Sequence, residues 1–187
     1  MDRRKLIGGA LLLPLAGMAA AKTQVVESKC CDCGMMDNIP REIEDSNPLD
    51  NELEKYPRCV LCNMDRSRFH ATRHLLHYGD NTVHATCSIT CAAQCMVKER
   101  RRKFKKIYAA DFGSGNDIKP LTDAKNATYL LGSNLPRVMS PVSKHAFSDP
   151  AAAEAARKTH GGEIADFAAA SEQAIAETAR YVINNLL

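Results

Sequence analysis

At 187 residues the chain has room for one ordinary domain or two very small ones packed together, and 45% hydrophobic content suffices for a core. Only 5% of residues are aromatic and none is Trp, so small aliphatic packing layers are expected. The formal net charge is +3, of which residues 1–21 carry +2 through Arg3, Arg4 and Lys5 against Asp2; what remains gives no electrostatic case for nucleic acid.

Residues 1–21 read as a signal peptide. A short basic region, Asp2-Arg3-Arg4-Lys5, precedes an apolar run from Leu6 to Leu15, and Ala19-Ala20-Ala21 offers a cleavage site before Lys22. The paired arginines fit a twin-arginine export signal in part, with a Sec signal the other option. The run is short for a membrane span, and Leu15-Ala16-Gly17 is followed by Met18 rather than the Cys of a lipoprotein signal. A soluble periplasmic protein without a stable membrane anchor is expected.

Residues 22–55 read as a flexible acidic arm. Ile43 to Glu54 is acidic, and Pro40 and Pro48 interrupt the segment, so it buries too little apolar surface to offset its ordering entropy. The arm carries Cys30-Cys31-Asp32-Cys33-Gly34-Met35-Met36. Nearly the same grammar returns in Cys59-Val60-Leu61-Cys62-Asn63-Met64, two thiols and a thioether within six residues. Soft sulfur donors this close suit Cu(I), while structural zinc or a disulfide are the bland readings of the same spacing.

From there the pattern is regular. Arg66 to His77 reads as a strand, Tyr78-Gly79-Asp80-Asn81 as a hairpin turn, and Thr82 to Cys87 as the returning strand. Ser88 caps a helix with an apolar stripe at Ile89, Ala92, Ala93, Met96 and Val97, closed by the basic run Lys98–Lys106. Ile107–Phe112 makes a further strand. A second β-β-α-β unit follows: Ala127–Leu131, Lys144–Phe147, a helix from Ala151 to His160 behind Ser148 or Asp149 and Pro150, then Glu163–Phe167 after Gly161-Gly162. Ala168–Leu187 is an Ala-rich amphipathic helix. The boundaries are thus 56–117 for the first unit, 118–168 for the second and 169–187 for the last helix, in an α+β fold.

Eight cysteines in an exported chain would ordinarily mean four disulfides. Cys87, Cys91 and Cys95, at i, i+4 and i+8, have a poor geometry for pairing on a helix, so some thiols are expected to be free. Cys91 reads as a small buried hydrophobe. His70, His74, His77 and His84 cluster across the hairpin; solvated strand positions are the default, with one of them a third metal ligand as the other reading. His145 and His160 read as structural. No Ser-His-Asp order or Gly-rich phosphate loop is present, so the chain is read as a non-enzyme.

These residues carry a resemblance. Cys59-Val60-Leu61-Cys62-Asn63-Met64, the hairpin after it, Cys91, Tyr129-Leu130-Leu131-Gly132-Ser133, Pro136-Arg137-Val138-Met139-Ser140, His145-Ala146-Phe147-Ser148 and His160-Gly161-Gly162 together resemble the NosL family. Its members are copper-binding accessory proteins of nitrous oxide reductase, and they share a fold with part of the organomercurial lyase MerB. The match runs over roughly residues 56–168. It implies two β-β-α-β halves with Cu(I) held near the opening Cys motif and by a Met of the second half, here Met139. The candidate ligand set is then Cys59, Cys62, Met64 and Met139; Cys30, Cys31, Cys33 and Met35 are a second candidate site read from their own spacing and not from the family. The partner it implies is a copper-receiving apo-enzyme, nitrous oxide reductase or similar. The chain departs from the family in having Asn63 where Gly is usual, in lacking the lipid-anchor Cys, and in its additional cysteines. Alternatives in other classes are a zinc or other heavy-metal protein and a Cys-x-x-Cys thiol-disulfide oxidoreductase. The latter motif normally opens a helix, whereas Cys59–Cys62 precedes a hairpin.

Overall fold

The computed structural model describes residues 43–186, and it begins inside the stretch whose composition predicts a tether. From Ile43 that expectation is corrected. Strand β1 (Ile43–Glu44) pairs antiparallel with residues 82–83, and a single helical turn, α1 (Glu52–Lys55), follows. The acidic side chains that suggested a solvated segment have fixed cationic partners instead. Glu52 is buried and takes Arg66 at 2.9 Å and Arg73 at 2.6 Å, while Asp45 pairs with Lys55 and accepts the Tyr56 hydroxyl at 2.6 Å. Ile43 and Tyr56 meanwhile pack on Leu75, Val83 and Ala85, covering one face of the hairpin.

Strands β2 (His74–Tyr78) and β3 (Thr82–Thr86) are that hairpin. Asn81 turns the chain at φ 63°, and the Asp80 carboxylate accepts from the Thr82 N–H at 3.1 Å. The first strand is shorter than its alternation suggests, because residues 66–72 are turns. Asp65 Oδ1 takes the N–H groups of Ser67 and Arg68, an alternative to ladder pairing that ends extension there. Ser88 then caps α2 (Ile89–Lys98), accepting from the Cys91 N–H at 3.4 Å. The basic run belongs only partly to that helix: α2 ends at Lys98, and Phe104 to Lys106 already lie in β4 (Phe104–Ala110), antiparallel to β2.

A short β5 (Leu121–Asp123), absent from the sequence expectation, completes a sheet of order β1-β3-β2-β4-β5. The second unit runs β6 (Thr128–Leu131), β7 (Lys144–Phe147), α3 (Pro150–His160) and β8 (Glu163–Ala165), with sheet order β7-β6-β8. Asp149 caps α3 and Pro150 opens it. Gly162 is required where α3 returns, since a Cβ there would sit 2.4 Å from the Leu131 carbonyl. Helix α4 (Phe167–Leu186) packs against α2 and β6, burying Ala170 and Ala174. The units meet where the Phe112 N–H donates to the Ala146 carbonyl at 2.7 Å and Asp111 accepts from Ser148. This is the α+β arrangement of two tandem β-β-α-β units that the sequence predicts. No helix among the described residues is long and apolar enough to cross a membrane.

The hairpin histidines are not solvated. His74, His77 and His84 are all buried; His74 bridges the Thr72 carbonyl at 3.0 Å and the Tyr129 hydroxyl at 3.1 Å, and His84 meets the Tyr78 hydroxyl at 3.0 Å. Lost hydration pushes both His74 and His145 down to about 4 from an ordinary 6.5. The unfolded chain therefore takes up these protons first as pH falls. Their contribution to stability is whole above about pH 6.5 and is lost on acidification toward 4, at up to about 1.4 kcal/mol per group per pH unit. Urea unfolding midpoints measured across that window should fall with pH, and His145→Phe should flatten the slope.

Candidate metal centre

The loop that carries Cys59 and Cys62 is closed on itself. The Cys59 N–H donates to the Met64 carbonyl at 2.9 Å, the Asn63 N–H donates to the Cys59 carbonyl at 2.9 Å, and the backbones of Arg58 and Asp65 form an isolated antiparallel β-bridge. So tight a return needs one residue in the left-handed region, and Asn63 supplies it at φ 60°. Asn tolerates that conformation better than any other residue bearing a Cβ, so it serves where Gly is usual in the family resembled. The Val60 N–H then donates to the Ala85 carbonyl at 2.9 Å, laying the loop on the end of β3.

That position brings the loop thiols to two further cysteines. Cys87 lies one residue before the Ser88 cap and Cys91 in the first turn of α2. The four sulfurs of Cys59, Cys62, Cys87 and Cys91 all lie within 4.8 Å of one another, with Cys62–Cys87 at 3.4 Å and Cys87–Cys91 at 3.8 Å. None of the four is in a disulfide. Cys59, Cys87 and Cys91 are buried and Cys62 is part-exposed; Leu61, Met64, Phe69 and Val138 pack around them. Among the described residues, no other group of His, Cys, Asp or Glu converges in this way.

The electrostatics divide the four into two kinds. Cys59 is held far below the ordinary thiol range by hydrogen bonds from Cys62, Cys87 and Cys91. Cys62 is also lowered: its interaction with Cys59 opposes ionisation, but hydrogen bonds from Cys87 and Cys91 outweigh it. Cys87 and Cys91 are pushed up, since each donates its S–H first to Cys59 and then to Cys62. The loop thus favours thiolate, and β3 and α2 supply the S–H donors. The positive N-terminal end of α2 and the buried Arg66 guanidinium, which interacts with Cys59, favour negative charge here. A soft cation entering the cluster would release the protons of Cys87 and Cys91 and bind four thiolates. Around an ion with metal–sulfur bonds of about 2.3 Å, tetrahedral sulfurs stand about 3.8 Å apart, so the Cys62–Cys87 and Cys87–Cys91 spacings need only small adjustment.

Of the residues singled out in the sequence, the structure gathers Cys59 and Cys62 and packs Met64 beside them. Met139 is exposed, in the left-handed region at φ 57°, one residue after Val138. Cys30, Cys31, Cys33, Met35 and residues 1–21, which read in sequence as a signal peptide, lie outside the described residues. Cys87 and Cys91 were not expected as site residues. Cys91 is buried as the sequence suggested, yet its sulfur faces three others rather than an apolar core. The available signal was Cys-Ser-x-x-Cys spanning a strand end and a capped helix start, which aims both thiols at one point.

The model of the NosL family matches residues 50–175. No curated protein matches the chain in sequence. Among solved structures, the crystal structure of the copper chaperone NosL from Shewanella denitrificans is similar at a TM-score of 0.51 and 23% identity, over 59% of this chain and 86% of that one. At that identity the likeness speaks for the fold.

Burial and charge together set an order of reactivity for the four thiols. Under anaerobic native conditions iodoacetamide should alkylate Cys62 first and Cys87 and Cys91 last, by at least about tenfold in rate, as followed by peptide mass mapping. Denaturant should erase the order.

Proposed function

This chain belongs to the NosL family, and we propose that it is an exported, periplasmic Cu(I) chaperone that hands its ion to an apo-enzyme, nitrous oxide reductase being the recipient proposed. The observation that carries the reading is the convergence of four cysteine sulfurs within 4.8 Å, three buried and one part-exposed. Thiolates select soft ions, and copper is cargo here rather than a resident catalyst. The protein would act without catalysing a bond change: it holds the ion until an acceptor's sulfur displaces its own.

In this proposal Cys59 and Cys62 are the primary ligands, with Cys87 and Cys91 completing the thiolate set. Met64, packed against the cluster, is a thioether donor within the site. Met139 is proposed as a rim ligand. Its loop is fixed where Ser140 and Lys144 converge on Glu177, the lysine at 2.6 Å, which leaves the exposed thioether beside the Val138 contact with the cysteines. The cluster of Cys30, Cys31, Cys33 and Met35 is proposed as a second soft-metal site.

One observation favours a rival. Sulfur spacings near those of a tetrahedron suit Zn(II) as well as Cu(I). Anaerobic titration of the reduced mature protein with each ion against competing chelators separates the two. Cu(I) should bind far more tightly than Zn(II), and Cys59→Ser or Cys62→Ser should weaken it at least about tenfold, or about 1.4 kcal/mol. Met139→Leu should slow transfer to an acceptor more than it lowers affinity. Zn(II) held more tightly than Cu(I) would sink the chaperone reading.

A further inference from the structure

The cluster contains a pair of thiols arranged to react with each other. Cys62 comes from the loop and Cys87 from the end of β3, 25 residues further on, and their sulfurs stand 3.4 Å apart. A disulfide bond is about 2.05 Å, so closure asks for a movement of roughly 1.4 Å. Cys62 is part-exposed and Cys87 is buried beneath it. This is the geometry of an accessible attacking thiol with a resolving thiol behind it. Cys59 is 1% exposed, with its backbone held in the closed loop by bonds to Met64 and Asn63. The Cys87–Cys91 pair, at 3.8 Å, is buried on both sides.

We propose that Cys62 and Cys87 form a reversible disulfide that empties the metal site, with a small-molecule or protein disulfide as oxidant. The inference rests on the reading of the cluster as a Cu(I) site. In the first step Cys62 Sγ attacks one sulfur of the external disulfide, forming a mixed disulfide and expelling one thiolate. Cys87 Sγ then attacks Cys62 Sγ, breaking the mixed bond and expelling the second. Two electrons pass from the cysteine pair to the external disulfide; its two released thiolates take up protons from the cysteine pair in the metal-free protein, or from solvent where a bound ion has already displaced those protons. Copper stays Cu(I) throughout. What changes is the donor set, which loses its part-exposed thiolate and one buried one and keeps only Cys59 and Cys91 as thiolates. Release is thereby tied to the thiol redox state of the compartment.

The test uses the full mature chain, alone and with Cys30, Cys31 and Cys33 changed to Ser so that the second cluster contributes nothing. Reduced protein is treated anaerobically with glutathione disulfide, mapped by peptide mass spectrometry, and titrated with Cu(I) against a chelator before and after. A Cys62–Cys87 linkage, with Cu(I) affinity lowered at least about tenfold and restored by dithiothreitol, is the expected result. Cys87→Ser should stop at a Cys62–glutathione mixed disulfide, and Cys62→Ser should form neither product; circular dichroism shows whether each variant is folded. A Cys59–Cys62 linkage, or linked protein that binds Cu(I) as tightly as reduced protein, overturns the inference. If the linkage forms but reduced protein holds no Cu(I), the chaperone reading falls and the redox pair stands.

Discussion

A single buried cation holds the cysteine loop to the sheet. Arg66 has no solvent exposure, and its guanidinium is shared among groups that would otherwise be independent. It donates to the Tyr56 carbonyl at 2.7 Å and to the Thr86 carbonyl at 3.2 Å, and pairs with Glu52 at 2.9 Å. Tyr56 precedes Cys59 by three residues and Thr86 precedes Cys87 by one. The same side chain therefore sets the distance between the two backbone segments that carry the thiols. A charge so buried is tolerated only with its partner in place, because an uncompensated one costs about 3–5 kcal/mol. That requirement explains why α1 is ordered. Glu52 has to come back over β2, where it also neutralises Arg73, and Arg73 in turn donates to the Lys119 carbonyl and ties in the approach to β5.

Once the loop is fixed, thiol chemistry follows from crowding. Four sulfurs this close cannot all ionise in the absence of a cation, so charge collects on Cys59 and Cys62 while Cys87 and Cys91 keep their protons. The arrangement is preorganised for a soft ion because its donors are already oriented and partly dehydrated. The same crowding also makes the site oxidisable. Metal capture and disulfide formation, the two proposed fates of the cluster, would relieve the same electrostatic conflict, and the part-exposed Cys62 is the thiol either reagent would meet first.

The fold was legible wherever a local rule operates. Ser88 and Asp149 as caps, Pro150 at a helix start, Asn81 in the hairpin and Gly161-Gly162 after α3 each act within a few residues, and each appears as the sequence suggests. The misses share a cause. Composition marked residues 43–55 as a solvated arm because acidic side chains are usually hydrated. Their partners Arg66 and Arg73 stand 14 and 21 residues beyond Glu52, and no local pattern announces a pairing at that distance. The alternation from Arg66 to His77 suggested one long strand, yet Arg66 is consumed as a brace and Asp65 folds the next residues into turns. The site divides in the same way. Cys59 and Cys62 are neighbours in sequence and were read at once, whereas Cys87 and Cys91 join them only through the Val60–Ala85 hydrogen bond and the Arg66 brace.

All four gathered thiols belong to the first unit, and this shapes how cargo could move. The second unit reaches the cluster through Val138, at the edge of a loop between Pro136 and Pro141 that is anchored through Ser140 and Lys144 to Glu177 on α4. An anchored loop that nonetheless holds a largely exposed Met in the left-handed region carries a small conformational cost. Three buried thiols and one part-exposed thiol form a gradient in exposure, which the proposed Met139 ligand would extend outward. Under the proposed chaperone role an ion would pass by replacing ligands one at a time, and such a gradient would order the replacements: exposed donors yield first to an incoming sulfur, and the buried thiolates last. In the proposed transfer Cys62 and the proposed rim ligand Met139, both reachable from solvent and one from each unit, would be displaced before the buried Cys59.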